Sequence, residues 1–169
     1  MEQVPKIETD IVTLTRHLII DQQAHKQATG DYTMLLSSIQ LACKFISSQV
    51  RRAGITSLYG LAGQENTSGD CQKKLDVIAN DVFVNSLKSS HKCCVLVSEE
   101  EENAIEVDLK QQGKYVCAFD PLDGSSNIDA NVSIGTIFAI WKRKSEGIYY
   151  MLYNFLMHAM LSSKIIYIV

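Results

Sequence analysis

The chain predicts an α/β fold in which helices come first and a mixed sheet follows. Three features of its 169 residues carry that prediction. Apolar residues recur at helical spacing in the first half. Short unbroken apolar runs, the pattern of buried strands, dominate the later part. Turn residues separate the segments.

Ile11, Leu14 and Leu18 predict a first helix, with Thr9-Asp10 as its cap. A polar stretch follows over residues 25–31. A second helix then starts near Thr33. Leu35, Ile39, Ala42, Ile46 and Val50 mark its apolar face, and Gly54 its end. Residues 60–69 hold three glycines with Asn66, Thr67 and Ser68, and read as a mobile loop. Leu75, Ile78, Val82 and Leu87 mark a third helix. "CCVLV" (93–97), "KYVCAF" (114–119) and "SIGTIFAIW" (133–141) read as strands, with an edge strand at 104–107.

The composition break falls after Gly147. The last 22 residues hold 17 apolar side chains and five of the 13 aromatics, with no acid, glycine or proline. A membrane anchor is one reading, since about 20 apolar residues span a bilayer. Asn154, His158 and Lys164 weigh against it. The favoured reading is a non-native replacement sequence that packs poorly.

Net charge is −3 and the pI about 5.8. Basic residues cluster only in short runs such as Lys142-Arg143-Lys144, which argues against a nucleic-acid partner. The five cysteines are odd in number and form no CxxC motif, and the N-terminus lacks the pattern of a signal peptide. Reduced thiols in a cytoplasmic protein are expected. The four histidines do not pair at zinc-binding spacing.

Two predicted strands end in carboxylates. Residues 95–97 lead to Glu99 and Glu100, and residues 116–119 lead to Asp120 and Asp123. Ligands of α/β sheets gather beyond the carboxyl ends of strands. If the two strands are parallel neighbours, four acids converge at one edge and need protons or a metal to neutralise them. Oxygen donors select hard cations, Mg²⁺ above all with Mn²⁺ as the alternative.

Gly124, Ser125 and Ser126 follow directly. Successive free N–H groups there suit a phosphate, and a helix starting near Ser125 would add its positive end. Strand, turn and N-cap is the plain alternative, which the second acidic strand end makes the weaker one. Glu101 and Glu102 read as solvent-exposed. Asp70 and Asp76 flank Lys73-Lys74 after the glycine-rich loop. They suit closure over a phosphate and ordering of a water, or equally a surface cap. "TGDYT" (29–33) suits a phosphate at a helix start, or a simple N-cap.

Together "LTRHLI", "TGDYTMLL", "KFISSQVRRAGI", "LYGLAGQEN", "GDCQKKLDVIANDVF", "CVLVSEE", "GKYVCAFDPLDGSSNID" and "SIGTIFAIWKR" resemble the fructose-1,6-bisphosphatase family. The family belongs to the metal-dependent, lithium-sensitive sugar and inositol phosphatases, and the run DPLDGSSN makes the match specific. The resemblance implies an α+β layered sandwich, truncated here. It also implies magnesium-dependent hydrolysis of the 1-phosphate of fructose 1,6-bisphosphate, with AMP as allosteric inhibitor and a homotetramer. Asp70, Glu99, Glu100, Asp120, Asp123 and the carbonyl of Leu122 resemble the metal ligands. Asp76, with Glu100, resembles the pair that polarises the attacking water. Residues 123–126 resemble the phosphate cradle. Thr29, Gly30, Asp31, Tyr32, Thr33, Lys114 and Tyr115 resemble the AMP site, with Ile19, Gln22 and Gln23 as its helix wall. Lys142 stands where the family usually has arginine, and Cys71 where it often has a polar side chain.

By the same resemblance, residues 1–147 form an incomplete domain and 148–169 a tail unrelated to it. Family chains are roughly twice this length. An inositol or sedoheptulose phosphatase is the runner-up enzyme. A non-catalytic fragment that keeps metal or AMP binding, or associates with full-length subunits, is the alternative of a different class.

Overall fold

The structure, a computed structural model, describes residues 10–56, 61–65, 71–130, 132–143 and 166–168. Helix α1 covers Leu14–Ala24. Its cap is Thr13, whose hydroxyl oxygen accepts the Arg16 N–H at 3.1 Å. The expected cap at Thr9-Asp10 is therefore displaced. Asp10 instead pairs with the Arg16 guanidinium, and Ile11 and Val12 are exposed. Leu18 is the buried residue of α1.

Helix α2 covers Asp31–Thr56 and buries Leu35, Leu36, Ile39, Ala42 and Ile46. It runs through Gly54 rather than ending there. An interior glycine costs only about 1 kcal/mol against alanine, which a 26-residue helix packed along one face absorbs. Helix α3, Lys74–Ser89, buries Leu75, Ala79, Phe83, Val84 and Leu87. The expected face is rotated: Ile78 and Val82 are only half-buried, while Asp76 and Asn80 turn inward.

The strands are β1 (Leu61–Glu65), β2 (Cys71–Lys73), β3 (Cys93–Ser98), β4 (Ile105–Glu106), β5 (Tyr115–Asp123), β6 (Gly135–Lys142) and β7 (Ile166–Ile168). β1 and β2 pair antiparallel, so part of the expected loop is a hairpin strand. The main sheet has the order β4-β3-β5-β6-β7. Its β3 and β5 are parallel, and the other neighbours antiparallel. The mixed α/β fold is thus the expected one. β7 comes from the apolar tail and pairs with β6 from Thr136 to Phe138, so that part of the tail extends the sheet. Among the described residues no helix is long and apolar enough to cross a membrane.

Helices α2 and α3 pack against one sheet face through Leu96, Cys117, Phe119 and Phe138. The Phe83 and Phe119 rings lie 4.6 Å apart, tilted by 35°. On the opposite face Cys94, Val95 and Val116 pack with Val97, Ala104 and Trp141. Both faces of β3 are covered, which explains its unbroken apolar sequence. Gly113 passes so close to the segment before β3 that a Cβ there would lie 2.1 Å from the Lys92 carbonyl carbon. Cys43, Cys93, Cys94 and Cys117 are free thiols, and burial pushes Cys93 up to about 12.

Candidate functional site

The parallel pairing of β3 and β5 decides where the acids go. Ser98 pairs with Phe119, and the Glu99 N–H donates to the Phe119 carbonyl at 3.0 Å. Both strands therefore reach the same sheet edge, one with Glu99-Glu100 and the other with Asp120. The ladder between β5 and β6 is irregular between Asp120 and Asp123, a bulge that re-aims side chains at the strand end. The buried Thr136 hydroxyl fastens the bulge by donating to the Pro121 carbonyl at 3.0 Å. The Asp120 carboxylate accepts the Leu122 N–H at 3.0 Å.

Helix α3 brings Asp76 to the same edge from its first turn, where it is 2% exposed. Its charge, with those of Glu99 and Asp123, reaches Asp120. Burial first, and these neighbouring charges after it, hold the Asp120 carboxyl at about 6, with the Leu122 N–H opposing them. The acids are therefore close enough to feel one another. They are not drawn into a tight cage: among the described residues no three acid, histidine or cysteine side chains stand together at ligating geometry. Asp70 lies outside the described residues.

Gly124 has φ +82°, a left-handed conformation that glycine adopts without strain. The expected helix beyond it is a single 3₁₀ segment, Ser125–Ala130, too short for a helix dipole to be invoked. Any phosphate cradle there rests on the turn itself. Glu101 is exposed as expected, yet it is tethered: its Oε1 accepts the Asn80 amide N–H at 2.9 Å. Asn80 also accepts from the buried Ser98 hydroxyl at 2.7 Å. Sequence reasoning missed Asn80. Its spacing of four from Asp76 on one helix was the available signal.

A second concavity of about 280 Å³ lies between α1, the start of α2 and the first residues of β5. Gln22, Thr29, Gly30, Asp31, Tyr32, Thr33, Lys114, Tyr115 and Lys142 line it. The α1 wall is completed by Leu18, Asp21 and His25 instead of Ile19 and Gln23, which the helix turns outward. Lys142 arrives opposite Tyr115 in the β5–β6 ladder. At its floor the Asp31 carboxylate pairs with Lys114 Nζ at 2.6 Å and Lys92 Nζ at 2.9 Å. The Thr29 hydroxyl donates to Asp31 at 2.7 Å, and Lys114 donates to Thr29 at 3.0 Å. Hydrogen bonds from Lys114, then Lys92 and Thr29, hold the Asp31 carboxyl well below its usual range. The Thr33 hydroxyl donates to Gln22 at 2.8 Å, joining α2 to α1. Lys92 was not foreseen from the sequence, where it sits among ordinary polar residues.

The model of the fructose-1-6-bisphosphatase N-terminal domain matches residues 12–158. That match runs past Gly147 into the apolar tail. Fructose-1,6-bisphosphatase 1 of Mus musculus is 58% identical over 138 residues, which are 82% of this chain and 40% of that protein. The cytosolic fructose-1,6-bisphosphatase of a Saccharum hybrid is 55% identical over the same shares. The holo crystal structure of Leishmania major fructose-1,6-bisphosphatase superposes with a TM-score of 0.75 at 45% identity, over 80% of this chain and 41% of that one. The chain thus spans about 40% of the length of the curated relatives it matches. Over that span, by sequence and by fold, it belongs to the fructose-1,6-bisphosphatase family.

Proposed function

We propose that this chain carries the metal and phosphate side of a sugar-phosphate phosphatase site. The reaction is magnesium-dependent hydrolysis of the 1-phosphate of fructose 1,6-bisphosphate to fructose 6-phosphate, in the cytoplasm. The carrying observation is the parallel pairing of β3 with β5, which delivers Glu99 and Asp120 to one edge beside buried Asp76. The donor chemistry fits a hard divalent cation. All donors are oxygens, and while burial is the main cause that raises Asp120, a cation would relieve the added repulsion from Glu99, Asp123 and Asp76.

Asp70, Glu99, Glu100, Asp120, Asp123 and the Leu122 carbonyl would hold Mg²⁺, or Mn²⁺ in its place. Bound there, the ion supplies charge neutralisation for phosphate oxygens and a more acidic water. Asp76 and Glu100 would polarise the attacking water and orient it for in-line attack. The N–H groups of Gly124, Ser125 and Ser126, with the Asp123 backbone, would cradle the phosphate and take the growing negative charge. This chain alone should turn over far more slowly than its full-length relatives. It spans about 40% of the relatives' length, and substrate held by fewer positioning groups reacts on the order of 10²-fold more slowly.

The second concavity supports AMP binding through Thr29–Thr33, Lys114, Tyr115 and Lys142, as an inhibitor site. An incoming phosphate there must compete with Asp31 for Lys114. A single-headed lysine at 142 in place of a guanidinium fork weakens that grip. The second concavity, which does not depend on the metal edge, carries one second reading: a non-catalytic piece that binds AMP or pairs with full-length subunits of a homotetramer.

Phosphate release from fructose 1,6-bisphosphate, with and without Mg²⁺, separates the readings when Asp123→Ala is run beside the unmodified chain. Metal-dependent release that vanishes in the variant supports the enzyme. AMP binding without release in either supports the second reading.

A further inference from the structure

The two glutamates at the end of β3 sit in a turn, and a turn holds a carboxylate in place only if something holds the turn. Five hydrogen bonds do so, one of them the turn's own, from the Glu101 N–H to the Ser98 carbonyl at 3.4 Å. The Glu99 N–H reaches the Phe119 carbonyl at 3.0 Å and continues the parallel ladder. The Glu100 N–H reaches the Ser98 hydroxyl oxygen at 3.3 Å. Ser98 Oγ in turn donates to Asn80 Oδ1 at 2.7 Å, and Asn80 Nδ2 donates to Glu101 Oε1 at 2.9 Å. One amide side chain therefore grips both residues that bracket Glu99-Glu100. Asn80 is 6% exposed and Ser98 4% exposed, so the Ser98 half of the grip is shielded from competing water, while its Glu101 end is open to solvent. Asn80 lies one helical turn beyond Asp76 on α3, so the helix that supplies Asp76 also supplies the clamp.

We infer that Asn80 is a positioning residue for the metal-binding edge: its amide clamps the Ser98–Glu101 turn and so presents Glu99 and Glu100 toward Asp120. The inference rests on the metal reading given above. Its geometric part does not, because the clamp is made entirely by protein groups. An amide suits the task because it accepts and donates at once. A carboxylate at position 80 would still accept from Ser98 but would repel Glu101. A glutamine at position 101 would then restore the lost bond with the donor and acceptor exchanged, at unchanged net charge.

The test compares the unmodified chain with Asn80→Asp, Glu101→Ala and the double variant Asn80→Asp/Glu101→Gln. Mn²⁺ binding is followed by the loss of its free electron-paramagnetic-resonance signal. Amide hydrogen exchange at Glu99 and Glu100 is followed without metal. Outer-shell partners of metal ligands are typically worth 10–100-fold in affinity. Asn80→Asp should weaken Mn²⁺ binding about tenfold or more and speed exchange at Glu100. The double variant should recover both to within about threefold. Glu101→Ala changes only an exposed side chain, keeps the fold, and should show a smaller loss of the same kind. Unchanged affinity and exchange in folded Asn80→Asp and Glu101→Ala would overturn the inference. So would a double variant as impaired as the single one. An unmodified chain that binds no Mn²⁺ yet shows the clamp-dependent exchange would overturn the metal reading and leave the clamp standing.

Discussion

Replacing Asp31 by asparagine removes the charge at the centre of the Lys92–Asp31–Lys114 group while keeping its shape. That carboxylate ties the first turn of α2 to Lys92, which precedes β3, and to Lys114, which precedes β5. The side chains of Asp31, Lys92 and Lys114 are 26%, 21% and 36% exposed, so solvent screens both pairs. At such exposure each pair contributes at most about 1 kcal/mol. The negative charge at the α2 start adds about 0.3–1 kcal/mol. Asp31→Asn should therefore destabilise by about 2 kcal/mol at pH 7, a fall in Tm of about 4–8 °C for a chain of this size. The sign of the pH dependence follows from the lowered carboxyl. A carboxylate held below its unfolded value of about 3.9 contributes its full stability above about pH 5. As pH falls below 4 the unfolded chain takes up the proton first, and about 1.3 kcal/mol of the contribution is gone by pH 3. Urea denaturation followed by circular dichroism at pH 7, 5 and 3 measures this. The difference between unmodified and variant chains should shrink from about 2 to below 1 kcal/mol. An equal difference at pH 7 and pH 3 would refute the electrostatic account of this group.

Three further outcomes are expected. Gly113→Ala forces a Cβ to within 2.1 Å of the Lys92 backbone, and should abolish a cooperative thermal transition or lower it by more than any exposed substitution. Phe83→Ala empties the contact with Phe119 at the helix–sheet junction, and should cost about 3–5 kcal/mol in urea denaturation. Cys93 and Cys117 are buried and held as neutral thiols, so a thiol reagent at pH 8 should label them only after denaturant is added.

The elements of this fold were legible because their patterns are local. The unbroken run of residues 93–97 reads as a buried strand, and β3, Cys93–Ser98, is covered on both faces. Acids placed directly after two such runs gave the candidate edge. Register, which brings those acids together, is a long-range property: the pairing of Ser98 with Phe119 cannot be read from either segment alone. The α3 face was misplaced for a related reason. Ile78 and Val82 are more apolar than Asp76 and Asn80, yet the helix turns the polar pair inward, and hydrogen bonds to Ser98 and Glu101 across the fold offset the burial of Asn80. The same blindness hid Lys92, whose partner lies on another element. The α2 boundary at Gly54 failed because packing along a long face outweighs one poor helix former. Asp70 lies outside the described residues, so its expected closure over the site stays a proposal.

The central claim is that a divalent cation binds where β3 and β5 end. Anomalous diffraction from crystals of this chain grown with Mn²⁺ tests it most directly. The account predicts a peak at the carboxyl ends of the two strands, at bonding distance from the carboxylates of Glu99 and Asp120. Ordered density for those side chains with no anomalous peak between them, or a peak only elsewhere on the chain, would contradict it.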